Sequence, residues 1–380
     1  MSVYQVPYTG LPRQAAGIKK ELLAAFEKVV DSGHYILGPN LKAFEERFAA
    51  FCGSRFALGV ANGTSALQLV WKVRGAGPGD EVITAPNSFL ASASSIATTG
   101  AKPVFVDIGP DLNIAPELIE KAITPRTKGI VPVHLTGRPA RMPEINSIAE
   151  KHGLFVLEDA AQAVGASLDG KRVGSWGNAA GFSLHPLKNL FVYGDGGVIT
   201  TSDPDLREKL LQARNHGLRS REQCDFWSDN SRLDELQAAL LLVHMEALDG
   251  WTARRRELAH RYNDLLSPFV EVPLEGPGEY CVYQTYVIQA EDRDGLQSFL
   301  QSNGVEALIH YRTPIHLQPA AASLGYTVSD FPKTVRACSR ILSLPLFPAM
   351  TALQQDIVVS LIRDFHEKRP ESRMEPVTAS

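Results

Sequence analysis

The sequence predicts an α/β protein built on a mainly parallel seven-stranded sheet, followed by a smaller C-terminal α+β domain. Three observations carry this. Short β-rich segments alternate with helix-length stretches through the first 200 of 380 residues, a pattern that needs crossover connections and hence parallel strands covered on both faces. The last two of these segments, Gly181 to Leu184 and Gly197 to Thr201, are too close for a crossover helix, so one strand must run antiparallel to its neighbours. Beyond about residue 270 the alternation changes to a strand-like Tyr283 to Ile288 and a helix near Leu296 to Leu300.

In chain order, Ile18, Leu22, Leu23 and Phe26 recur at helical spacing, and Leu41, Phe44 and Phe48 do so again after Gly38-Pro39. The expected strands are Ala57–Ala61, Glu81–Ala85, Pro103–Asp107, Gly129–His134, Leu154–Asp159 and the two named above. From Leu236 to about Leu265, apolar Leu236, Leu240, Val243 and Ala247 predict one long helix. The expected division is a large domain over 1–250, a small one over 251–369, and a polar, disordered tail over 370–380.

Composition narrows the partners. A net charge of −4 with no block of Lys or Arg argues against nucleic acid and anionic lipid and leaves small molecules. Cys52, Cys224, Cys281 and Cys338 show no C-x-x-C spacing, so neither a zinc site nor a disulfide framework is expected, and a reducing cytoplasm fits. None of the ten histidines pairs at metal-ligand spacing, so no metal is expected. The N-terminus carries no basic-then-apolar signal and the apolar runs are too short to cross a bilayer, so a soluble intracellular protein is expected.

The chemistry should gather at strand ends. Lys188 follows the apolar run Ala180 to Leu184; a lysine beside apolar walls loses solvation, its pKa falls, and it becomes an amine nucleophile for aldehydes. Asp159 ends the run Leu154 to Leu157, where an open α/β sheet places ligand-binding groups, although a helix N-cap would read the same way. As a functional group it would keep a pyridinium nitrogen protonated, and Gln162, one turn on, would reach the same ring. Phe89 follows the second strand and can stack a flat ring or pack in the core. Asn62-Gly63-Thr64-Ser65 opens a helix after the first strand, as a phosphate site or as a plain cap. No P-loop or G-x-G-x-x-G is present. Together these signals converge on pyridoxal 5′-phosphate.

The chain resembles the DegT/DnrJ/EryC1/StrS sugar aminotransferases, of the aspartate-aminotransferase type I fold, from about residue 10 to 367. The resemblance rests on Asn62 to Leu67, Pro78-Gly79-Asp80-Glu81-Val82, Pro103 to Asp107, Glu158 to Ala163, Phe182 to Asn189, Asn230-Ser231-Arg232-Leu233, His310 to His316 and Leu342 to Pro348. It implies that Lys188 forms the covalent imine with the cofactor, Asp159 pairs with the ring nitrogen, Gln162 sits by the ring hydroxyl and Phe89 stacks. It further implies that Gly63, Thr64 and Ser183 hold the phosphate, and that Asn230 reaches it from the second subunit of a homodimer with shared active sites. Tyr311, Arg312 and His316 match the approach to the sugar, with locally satisfied loop residues as the other reading. The implied reaction moves an amino group from L-glutamate to a nucleotide-linked keto sugar. A free keto-sugar acid, a keto-cyclitol or a non-catalytic regulator are the alternatives. Thr136 stands where family members often carry tyrosine, with Arg138 close by.

Overall fold

The computed structural model describes residues 4–367, so the tail expected over 370–380 lies outside the described residues. Seven strands form the main sheet: β1 (Phe56–Val60), β2 (Glu81–Thr84), β3 (Lys102–Phe105), β4 (Thr127–Val131), β5 (Phe155–Asp159), β6 (Ala179–Ser183) and β7 (Gly197–Thr201). Their order across the sheet is β1-β7-β6-β5-β4-β2-β3. Strand β7 runs antiparallel to both β1 and β6, while every other pairing is parallel. Six strands therefore point the same way, and their carboxyl ends share one edge.

Alternate residues feed different cores, as the two-residue period of a strand requires. Ala57, Ala180, Phe182 and Val198 pack with Phe44, Phe48 and Leu241. Their neighbours Leu58, Ala179 and Ile199 pack with Leu67, Val70 and Trp71 of the helix Gly63–Val73. Nearer the other edge, Ile83, Ile130 and Val156 meet Met142, Ile145 and Ala149 of the helix Met142–His152. With both faces covered, β5 is buried at all five positions, which is why its sequence reads as a continuous apolar run up to two carboxylates.

The helix Glu235–Leu266 runs unbroken past residue 250. Leu241, Met245 and Leu248 belong to the sheet's core, whereas Leu258, Ala259, Tyr262 and Leu266 belong to a C-terminal core. That second core includes the antiparallel pair β8 (Tyr286–Gln289) and β9 (Ile341–Leu344), with residues of the helices Arg293–Ser302 and Ala352–Glu367. Val6 also enters it, through a parallel bridge to Val305. The strand expected from Tyr283 starts at Tyr286 instead, because Tyr283 adopts φ 45°, a left-handed conformation outside strand geometry. Strand β4 ends at Val131 rather than at His134, with a single bridge between Val133 and Asp159 beyond Pro132.

All four cysteines are free thiols. Among the described residues no helix is long and apolar enough to cross a membrane, and no group of three or more His, Cys, Asp or Glu side chains is placed to hold a metal ion.

Candidate active site

The site is assembled from the segments that leave the carboxyl edge of the sheet. After β6 the chain turns through His185 to Lys188, whose amide donates to the His185 carbonyl at 2.8 Å. Gln284 Nε2 donates to the Leu187 carbonyl at 2.8 Å, tying this turn to the C-terminal region. Lys188 is partly buried, and desolvation lowers its ammonium pKa to about 8 against the opposing pull of the Asp159 charge.

Asp159, at the end of β5, is 4 % exposed. Its Oδ2 accepts from the Ser92 hydroxyl at 2.6 Å and its Oδ1 from the Ala161 amide at 3.2 Å. Burial nevertheless raises its pKa, with those two bonds and the Lys188 charge acting the other way. A carboxylate held in that condition gains most from a fixed cation beside it.

Gln162 is clamped between two elements. Its Oε1 accepts from the Thr136 amide at 2.5 Å and its Nε2 donates to the Tyr311 hydroxyl at 3.3 Å. Tyr311 in turn lies 5.6 Å from the ring of Phe89, which is 52 % exposed just beyond β2. Burial and the Asp159 charge both push the Tyr311 hydroxyl pKa upward, which places that hydroxyl within the field of the same carboxylate.

Gly63 opens the helix Gly63–Val73, and the Asn62 side chain caps it by accepting from the Ser65 amide at 2.8 Å. A Cβ on Gly63 would stand 2.7 Å from Ser183 Cβ, closer than any side chain tolerates. The helix N-terminus with Thr64 is thereby drawn against Ser183, five residues before Lys188.

The chain matches the DegT/DnrJ/EryC1/StrS aminotransferase family over residues 16–363. It is a member of that family. A pleiotropic regulatory protein of Geobacillus stearothermophilus is 44% identical, the match covering 95% of this chain and 98% of that protein. The dTDP-3-amino-3,4,6-trideoxy-alpha-D-glucose transaminase of Streptomyces venezuelae is 41% identical, over 96% of this chain and 97% of its own. Among solved structures, S. venezuelae DesV in complex with a ketimine intermediate superposes with a TM-score of 0.93 at 41% identity, covering 96% of this chain and 99% of that one. The fold is thus the aminotransferase fold expected from the sequence.

Within this aminotransferase the residues fit pyridoxal phosphate by their own chemistry. A lysine with a depressed pKa lies within the field of a buried carboxylate whose own pKa is raised, and a capped helix N-terminus approaches a serine closely enough to need glycine.

Three expected residues do not join the cluster in this subunit. Asn230 is exposed and pairs with Asn215 in an isolated bridge. Arg312 turns outward, because Asp294 and Gln297 on the helix Arg293–Ser302 take its guanidinium at 2.8 and 3.2 Å. His316 is 2 % exposed and packs edge-on against Phe331, 4.8 Å between centroids, with neither ring nitrogen hydrogen-bonded among the described residues. Burial lowers its pKa, as for a core histidine.

Sequence reasoning missed other groups. Ser88 donates to Ser92 at 2.9 Å, extending the chain of hydroxyls that ends on Asp159. His310, bonded through Nδ1 to the Ser343 hydroxyl at 2.9 Å, has its pKa pushed down to about 4 by burial and by the Lys188 charge. Tyr8, 5.6 Å from the His310 ring, has its hydroxyl pushed up to about 12 by burial. Ser92 announces itself only as one of several small polar residues in Ala91–Ala97, and no local signal links Tyr8 to a histidine 302 positions away.

Proposed function

We propose that the protein is a pyridoxal-phosphate-dependent aminotransferase that moves an amino group from L-glutamate to a nucleotide-linked keto sugar in the cytoplasm. The observation that carries this is the opposition of Lys188 and Asp159, each with its pKa displaced by burial toward the neutral form. When bound, the cofactor supplies an aldehyde for amine exchange and a ring that withdraws electrons from an adjacent carbanion. Lys188 would hold the cofactor through its amine, and the same amine would serve as the base and acid that moves the donor's proton. Asp159 keeps the ring nitrogen protonated, while Gln162 and Phe89 set the ring's plane. Gly63, Thr64 and Ser183 hold the phosphate, joined by Asn230 of the partner subunit. Glutamate leaves as 2-oxoglutarate, and the keto sugar takes up the amino group.

The shared site rests on a homodimer. Supporting it, Leu23, Phe26, Val30, Tyr35, Ile36 and Tyr193 are each more than 40 % exposed, large apolar side chains that a partner surface would cover. Residues 1–250 serve as the cofactor-binding unit and 251–369 as the small one, with the helix Glu235–Leu266 common to both.

The regulatory name of one relative favours a second reading, a binding protein without turnover. Both a proton-transfer amine and a ring-nitrogen carboxylate are present here, and a protein that only binds needs neither. Purified protein loaded with cofactor should lose its visible absorption band on adding L-glutamate and regain it with the correct keto sugar. Testing dTDP- and UDP-linked keto sugars, free keto-sugar acids and keto-cyclitols while following 2-oxoglutarate identifies the acceptor. A band that L-glutamate leaves unchanged would favour the regulatory reading, and one bleached but never restored would point to an acceptor outside this set.

A pH dependence follows. Only the unprotonated amine attacks an aldehyde, so capture of pyridoxal phosphate by the cofactor-free protein should be half-maximal near pH 8, where Lys188 loses its proton. A surface lysine would need a pH above 10. Stopped-flow absorbance across pH 6–10, a range of roughly two units either side of that midpoint, measures it.

A further inference from the structure

Behind Asp159 lies a second buried carboxylate that amino transfer does not use. Glu158 and Asp159 are consecutive in β5, so their side chains leave opposite faces of the sheet. Glu158 is fully buried, yet its oxygens are saturated with donors. Oε1 accepts from the amides of Trp176 and Gly177 at 2.9 and 2.8 Å, and Oε2 accepts from the Gly174 amide at 2.9 Å. His134 Nε2, also fully buried, stands 3.0 Å from Oε2. The Ala140 amide donates to His134 Nδ1 at 2.9 Å, which fixes the tautomer: Nε2 carries the proton and donates it to Glu158.

His134 holds β5 at a second point. Its backbone amide donates to the Asp159 carbonyl at 3.0 Å, while the Asp159 amide donates to the Pro132 carbonyl at 2.8 Å. On the other flank, the Ala160 amide donates to the Gly181 carbonyl at 2.9 Å. One residue thus grips the Glu158 side chain and the Asp159 backbone together. A buried pair of this kind adds little stability over apolar residues of the same volume. What four directional bonds add is a fixed orientation for the residue they hold, and through it for the next one along the strand.

We infer that Glu158 and His134 are positioning residues that aim the Asp159 carboxylate at the cofactor ring from behind the sheet. The inference rests on the pyridoxal-phosphate reading given above. Glu158→Gln puts an NH2 group against the donors of Gly174 and His134, so two N–H groups face it with nothing to accept them. His134→Ala removes one donor to Glu158 and the acceptor for Ala140. His134→Gln restores a donor near the Nε2 position and keeps the grip on Glu158.

The test uses full-length protein and three measurements: the cofactor dissociation constant, the pH midpoint of the bound cofactor's visible band, and the melting temperature of the cofactor-free form. Glu158→Gln and His134→Ala should weaken cofactor binding about tenfold or more and displace the pH midpoint, as removal of orienting groups does at other tightly built sites. His134→Gln should stay within about threefold of wild type. If Glu158→Gln does not fold, His134→Ala against His134→Gln decides, since both keep the three amide donors to Glu158. A lowered melting temperature with unchanged affinity and unchanged pH midpoint would make the pair a purely structural strut and overturn the inference. Failure of the wild-type protein to bind pyridoxal phosphate would remove the functional reading, and the inference with it.

Discussion

Replacing Lys188 with alanine should abolish amino transfer while leaving a folded protein that still binds the cofactor's phosphate. The side chain is asked for two separate tasks, covalent attachment and proton transfer. General acid–base catalysis alone is worth about 10²- to 10⁴-fold, so a loss on the order of 10⁴ or more is expected when both tasks go. The cradle at Gly63, Thr64 and Ser183 lies on other backbone segments and should survive. Single-turnover release of 2-oxoglutarate measures the effect, and a small primary amine added in excess should restore part of it by replacing the missing group. Turnover near the wild-type rate in Lys188→Ala would end the assignment, since nothing else in the cluster could then account for the chemistry.

What the sequence disclosed and what it withheld divide along physical lines. The sheet was legible because β5 and β6 are buried on both faces and therefore announce themselves as apolar runs. Gly197–Thr201 was placed to the residue, and a connection too short for a crossover required one antiparallel strand, which the structure shows to be this one. Lys188 and Asp159 stood out because each is a charged residue at the end of such a run. Pairings across the fold left no such trace. Ser92 meets Asp159 across 67 positions and Gln162 meets Tyr311 across 149, and neither separation leaves a local pattern. Arg312 was matched to the approach to the sugar by family resemblance, with a locally satisfied loop residue as the other reading; in this subunit its guanidinium takes the acceptors that Asp294 and Gln297 on the facing helix supply. Glu158 was legible only as part of a motif; its four donors come from loops that the sequence alone does not bring together.

Asp159→Asn should separate stability, cofactor capture and turnover by moving them in different directions. In the cofactor-free protein Asp159 titrates above its ordinary value because it is buried. A carboxyl whose folded pKa is raised favours the folded state at low pH and loses that contribution as pH rises through the folded value. At neutral pH its ionisation is therefore a cost to folding, and asparagine removes the cost. The cofactor-free variant should melt higher, by roughly 1–2 °C for each kcal/mol in a chain of 380 residues. Capture should also become possible at lower pH, because the Asp159 charge is what raises the Lys188 pKa against desolvation. The midpoint near pH 8 should fall. Turnover should nevertheless drop by about 10³-fold, since a neutral amide cannot hold the ring nitrogen protonated and preorganised electrostatic partners of this kind are worth that much in rate. Melting curves, capture rates against pH and steady-state transfer on one preparation give all three. A variant that melts higher and captures cofactor at lower pH, yet turns over normally, would show that Asp159 is not the partner of the ring.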